Sequence, residues 1–393
     1  MNGTVPTRRR VLLAALGLAL AAAVSLGLAR FAYALLLPPM RNELGWSWFT
    51  AGAMNTANAA GYLLGALAMP ALLRRIDARW LMLGGGAGSA LLLALHATAS
   101  ADLLIGALRL ATGIASAASF VAGGLLAARL AGHAAALQPQ PIGSGLVLGL
   151  YYGGTGLGII VSTLVAAPLP WRAGWSALGA ACAVATVATA VTQRGWAAPA
   201  AAAAQPQQAT ARPFAWALAG YAMFGLGYIG YMTFVIGLLR EQGLAAGAIH
   251  AFYVLLGAGV VASSWLWSGL LQRWRGGQTL ALLNALLALA TLMPVLSAHP
   301  AVVAASGLLF GSVFLSVVAS TTALVRHNLP EAAWASGITR FTIVFAGGQI
   351  VGPSLVGLVA DGSGGLLRGF ALSAALLALG AVFAWRQRPL TAS

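Results

Sequence analysis

The chain has 393 residues, of which 60% are hydrophobic and only 7% charged, against roughly 25% charged in a soluble domain. Its formal net charge is +15, yet the 21 basic residues, every one of them Arg, are spread between apolar runs, none in a stretch longer than three, and form no groove-sized patch for nucleic acid. A single cysteine, Cys182, leaves no disulfide framework and no thiolate metal cluster, and the absence of lysine excludes the G-x-x-x-x-G-K-[ST] loop of a nucleotide-driven pump.

The pattern predicts an all-α polytopic membrane protein. "TRRRVLLAALGLALAAAVSLGLA" has the charged start and apolar centre of a signal peptide, but the apolar run extends to Leu37 and reads as an uncleaved first span. In chain order the expected spans are 11–37, 47–73, 80–98, 103–129, 143–167, 173–193, 213–239, 247–271, 278–297, 300–326, 334–360 and 367–386. Each is long enough, at about 1.5 Å per residue, for a hydrocarbon core of about 30 Å.

Loops on the side of the amino terminus hold fourteen arginines and the opposite loops four, Arg41, Arg172, Arg240 and Arg368. Both termini are therefore expected in the cytoplasm. Between spans six and seven, "RGWAAPAAAAAQPQQATARP" is rich in Ala and Pro and reads as a cytoplasmic linker, 194–212, joining halves 1–193 and 213–393. A constant offset of 198 pairs Gly61 with Gly259, Arg75 with Arg273, Gly113 with Gly311, Gly149 with Gly347, Gly154 with Gly352 and Tyr33 with Tyr231. Two pseudo-symmetric six-helix bundles, a transporter architecture, are the expectation.

Arg30, Arg109 and Arg340 lie inside spans. Arg30 is about 10 Å short of Leu37 and Arg109 about 9 Å past Leu103, which gives the first two a common depth. A charge there is costly and usually faces the bundle interior or water. Tyr33 shares the face of Arg30, and Asn55, Asn58 and Tyr62 lie along one face of span two, so the group suits an anionic or strongly hydrogen-bonding solute. The alternatives are that Arg30 snorkels to the interface and that Arg109 holds span four against carbonyls of span one; for Arg340 an interfacial anchor is expected. Tyr228, Tyr231 and Gln349 of the second half are candidates for an opposite wall, or for interhelical hydrogen bonds alone.

All six acidic residues, Glu43, Asp77, Asp102, Glu241, Glu331 and Asp361, fall in loops or at span ends, which disfavours a proton relay through a buried acid. The five histidines are scattered and neither H-E-x-x-H nor G-x-S-x-G occurs, so the chain is not expected to be an enzyme or to need a cofactor or metal.

Twelve spans in a 6+6 repeat, with "LLIGALRLATGIASAASF" carrying Arg109 and Gly113 as R-x-x-x-G, resemble the major facilitator superfamily over essentially the whole chain. The 2–3 loop "GALAMPALLRRIDARW" supplies Arg74, Arg75 and Asp77 without the superfamily's usual spacing, and span eleven carries Gly352-Pro353. "RFAYALLLPPMRNELGWS" and "GGQIVGPSLVG" look like the YbfB/YjiJ-type bacterial branch. The resemblance implies that spans one and four line a central cavity and that the halves rock about a midplane site. It also implies a secondary transporter in the bacterial inner membrane, acting on a small solute, with a monomer expected. An organic anion is the favoured cargo; a drug or metabolite exporter, a channel, a lipid scramblase or a membrane sensor on the same fold are the alternatives.

Overall fold

The computed structural model describes residues 8–135, 142–194 and 212–390; the expected linker 194–212 lies, but for its two ends, outside them. Among the described residues twelve long helical elements follow one another: α1 (Arg8–Leu44), α2 (Trp48–Leu72), α3 (Ala78–His96), α4 (Asp102–Ala135), α5 (Ser144–Ala166), α6 (Trp171–Thr192), α7 (Ala215–Glu241), α8 (Ala246–Arg273), α9 (Gln278–Leu296), α10 (Pro300–Asn328), α11 (Trp334–Ala360) and α12 (Gly365–Trp385). Eleven are long and apolar enough to cross a bilayer. The twelfth, α2, has the length, but Asn55, Asn58, Thr50 and Thr56 dilute its hydropathy.

The expected boundaries shift where local chemistry allows. α1 runs through Pro38 and Pro39 to Leu44, since each proline removes only one backbone donor, and ends in a left-handed Gly45 (φ 67°) with Trp46 N–H bonded to Arg41 O at 3.0 Å. Within α1, Ala23–Phe31 is a π-helix, closed by Ala32 N–H on Gly27 O at 3.1 Å. α8 breaks at Trp267 before a last short turn, Ser268–Arg273.

The chain forms two compact units, the first from the described parts of Met1–Ala32 and Gly61–Ala202, the second from those of Tyr33–Ala60 and Ala203–Ser393. α1 and α2 each contribute one part to each unit.

In the first unit α1 lies against α5 with almost no side chain between them. Cβ atoms added at Gly154 or Gly158 would run into the carbonyls of Ala19 and Ala23, and Gly27 meets Gly158 backbone to backbone. Such close approach supplies the dispersion that holds helices together in lipid, where no hydrophobic effect does so. α6 is tied to α1 by Thr189 Oγ1 on Gly17 O at 2.9 Å and Gln193 Nε2 on Ala14 O at 2.8 Å.

In the second unit α7 packs on α12 and α11, and α8 on α10, through Gly220 against Gly380, Gly225 against Gly348 and Gly311 against the Leu256 carbonyl. The offset of 198 reappears here as a contact. Gly61 faces the Leu110 carbonyl in the first unit, and Gly259 faces the Leu308 carbonyl in the second, so both partners move by the same step. Gly61→Leu is therefore expected to destabilise the protein by about 1–3 kcal/mol through overpacking. Gly84→Leu, where a Cβ meets nothing within 4 Å, should leave thermal unfolding in detergent unchanged.

Candidate functional site

The π-helix of α1 organises the polar centre of the first unit. Ser25 Oγ donates to Ser116 O at 2.7 Å and Ser116 Oγ donates back to Ser25 O at 2.7 Å, a reciprocal pair that pins α1 to α4. One turn further on, Arg109 of α4 donates from Nη1 to Ala29 O at 3.3 Å. Arg109 is fully buried, with its guanidinium carbon 5.9 Å from the Trp175 ring centroid of α6. His96 of α3 stacks on the same indole at 4.6 Å and keeps its Nδ1 on Leu92 O at 2.7 Å.

Arg30 is the next residue after that carbonyl and is 5% exposed. Its guanidinium carbon sits 5.4 Å from the Tyr62 ring centroid and 5.8 Å from that of Phe31. Two arginines therefore flank the Ala29 peptide, one bonded to it and one resting on aromatic faces. The geometry of Arg109 is that of the second expectation, a hold on a span-one carbonyl, and Arg30 is enclosed in the fold. Cation–π contact of this kind is worth about 0.5–2 kcal/mol.

The remaining candidates lie in the second unit, in four places. Tyr33 donates to Ala51 O at 2.9 Å, linking α1 to α2. Asn55 Nδ2 donates to Thr233 Oγ1 of α7 at 2.7 Å, and Asn58, 1% exposed, follows one turn later. Tyr228 donates to Gln349 Oε1 at 2.8 Å, so α7 and α11 do bring that pair together. Around it Phe224, Phe345 and Phe314 lie nearly parallel to the phenol at 4.6, 5.5 and 6.1 Å.

Tyr231 has other partners. Its hydroxyl meets Ser306 Oγ at 2.7 Å, Ser306 donates its own proton to Ala290 O, and the ring stacks on Phe310 at 3.9 Å. Gly352 lies against the Leu226 carbonyl and Pro353 places its own carbonyl against Gly52. Gly113 is buried in α4; Arg74 and Arg75 are exposed, while Asp77 caps α3 by accepting from Arg79 N–H at 2.8 Å. Arg340 is partly exposed two turns into α11.

Sequence reasoning did not single out Ser25, Ser116, Trp175 or Thr233. Serine and threonine are spread through nearly every span, and only the fold shows which of them meet. Removing either hydroxyl of the serine pair is expected to cost about 1 kcal/mol. Ser25→Ala and Ser116→Ala combined should cost less than their sum, which a double-mutant cycle on thermal stability reads directly.

The profile of the family described as "Uncharacterised MFS-type transporter YbfB" matches residues 22–385. A search of curated proteins returns no match. Among solved structures, a bacterial homolog of the human lysosomal transporter Spinster aligns with a TM-score of 0.72 at 14% identity, covering 97% of each chain. The nucleoside transporter NupG, as its D323A mutant, gives 0.74 at 14% identity over 95% of this chain and 98% of its own. The human organic anion transporter MFSD10 gives 0.63 at 15% identity over 96% and 100%. At these identities the likeness establishes the fold alone.

Proposed function

Because the chain belongs to the YbfB-type family of major facilitator transporters, we propose that it carries a small organic anion across the bacterial inner membrane by alternating access, with Arg30 as the anion-binding cation. It is a multi-pass membrane transporter and not an enzyme. The halves 1–193 and 213–393 are the moving bodies of the proposal, with the linker between them and both termini in the cytoplasm. The fourteen-to-four split of loop arginines supports that orientation, and a monomer is its working unit.

The observation that carries the cargo class is the charge distribution inside the spans. Arg30 and Arg109 flank the Ala29 peptide in a buried polar centre. All six carboxylates, by contrast, stand at helix ends or in turns: Glu43, Asp77, Asp102, Glu241, Glu331 and Asp361. In this reading a buried arginine favours a mobile anion over a mobile cation, because the anion reduces the cost of keeping that charge out of water. Arg109, engaged on Ala29 O, positions α1 so that Arg30 is presented. Arg30 is the cation of the reading in the first unit, and Tyr33, Asn55, Asn58, Tyr228, Tyr231 and Gln349 are its candidate binding residues in the second. The likeness to MFSD10 lends the fold and nothing more.

A thermal-shift screen of detergent-purified protein against organic anions, neutral sugars and cationic drugs tests this. Stabilisation by an anion, lost in Arg30→Gln, is the expected result. Stabilisation by neutral or cationic compounds alone, unchanged in the variant, would contradict the anion reading.

A further inference from the structure

α2 begins with an unusual cap. Ser47, the residue before the helix, bonds Thr50 N–H through Oγ at 3.0 Å, and Ala51 N–H closes the first intrahelical bond on Ser47 O at 3.1 Å. That leaves the donors of Trp48 and Phe49. Both go to one carboxylate more than three hundred residues away: Asp361 Oδ1 accepts from Trp48 N–H at 2.7 Å and Oδ2 from Phe49 N–H at 2.9 Å.

Asp361 is the residue that closes α11, and its own N–H is bonded to Gly357 O at 3.0 Å. A carboxylate at the C-terminus of a helix stands at the negative end of that helix's dipole, where it is disfavoured. The same carboxylate at the N-terminus of α2 stands at a positive end and satisfies two orphan donors with charge-assisted bonds. Its favourable surroundings therefore come from α2 and vanish when α2 leaves. Asp361 and Phe49 are exposed, so water can replace that bond, while the bond to Trp48 N–H is part-buried.

Beneath this bond the two helices meet through backbone and small side chains. Gly357 lies against the Trp48 backbone, Gly52 against Pro353 O, and Thr56 Oγ1 donates to Ile350 O at 2.7 Å beside Ser354 Oγ at 2.9 Å. Positions 48, 52 and 56, one turn apart, thus form a single track along α2 facing α11.

We propose that Asp361 is a releasable clasp, holding the Trp48 end of α2 onto α11 in one access state of the carrier and letting go in the other. This rests on the alternating-access reading and assigns its controlling contact. The first half of α2, Trp48–Ala60, belongs to the second unit while the remainder belongs to the first, so the clasped segment is the part of α2 that shares a unit with α11.

The test needs no solute, which keeps it separate from the anion screen. In a Cys182→Ser background, Ala51→Cys places a thiol at a fully buried position of the clasped segment, and Ala290→Cys places one at a fully buried position of α9 as a reference. Maleimide labelling of the purified protein at position 51 is expected to rise about fivefold when Asp361→Asn is added, with position 290 unchanged. Thr56→Val, isosteric and lower on the same track, should act in the same direction and stands in should Asp361→Asn not fold. Unchanged labelling at position 51 in the folded variants overturns the clasp. So does an equal rise at position 290, which would be general loosening.

Discussion

The contact on which the structure depends is a glycine laid against a neighbouring helix's carbonyl. In a bilayer nothing presses apolar helices together, so association rests on dispersion at close range and on the few polar groups that must find partners. Gly61 on Leu110, Gly259 on Leu308, Gly311 on Leu256, Gly154 on Ala19 and Gly52 on Pro353 are the same solution used in both units. Seams of this kind hold closely without interlocking side chains.

The second constraint is electrostatic. Arginine is tolerated at depth because the π-helix turns backbone and hydroxyl groups toward α4: Ser25 pairs with Ser116, and Ala29 O takes Arg109. Short π segments often mark functional positions in helices, and this one lies where α1 carries Arg30. Carboxylates are kept to the helix ends, where Asp77 and Asp361 serve as caps. Arginines thus stand inside the helices and carboxylates at their ends.

Much of this was legible in the sequence because lipid imposes long-range regularity. Twelve apolar runs, the loop arginines and the shared offset of Gly61 and Gly259 are patterns of spacing, and spacing survives without coordinates. α2 was readable as a span even though its asparagines and threonines lower its hydropathy, since its length and neighbours required a helix there. Partner identity was not readable. "AVSLGLARF" looks like any apolar helix, and nothing local makes it a π-helix. Tyr228 and Tyr231 stand three positions apart, yet one bonds Gln349 and the other Ser306, a distinction made by α10 and α11 rather than by α7. Asp361 reads as a loop acid in "VADGSGG" until α2 is seen to start on it.

A carrier differs from an open path in exposing its site to one side at a time. Proteoliposomes loaded with the unlabelled anion that gives the largest thermal stabilisation, then diluted into a trace of the same anion labelled, provide the most direct measurement. Alternating access predicts counterflow, a transient accumulation of label above its equilibrium level that saturates with concentration. Label that merely equilibrates, with no overshoot and no saturation, would describe an open path and contradict alternating access.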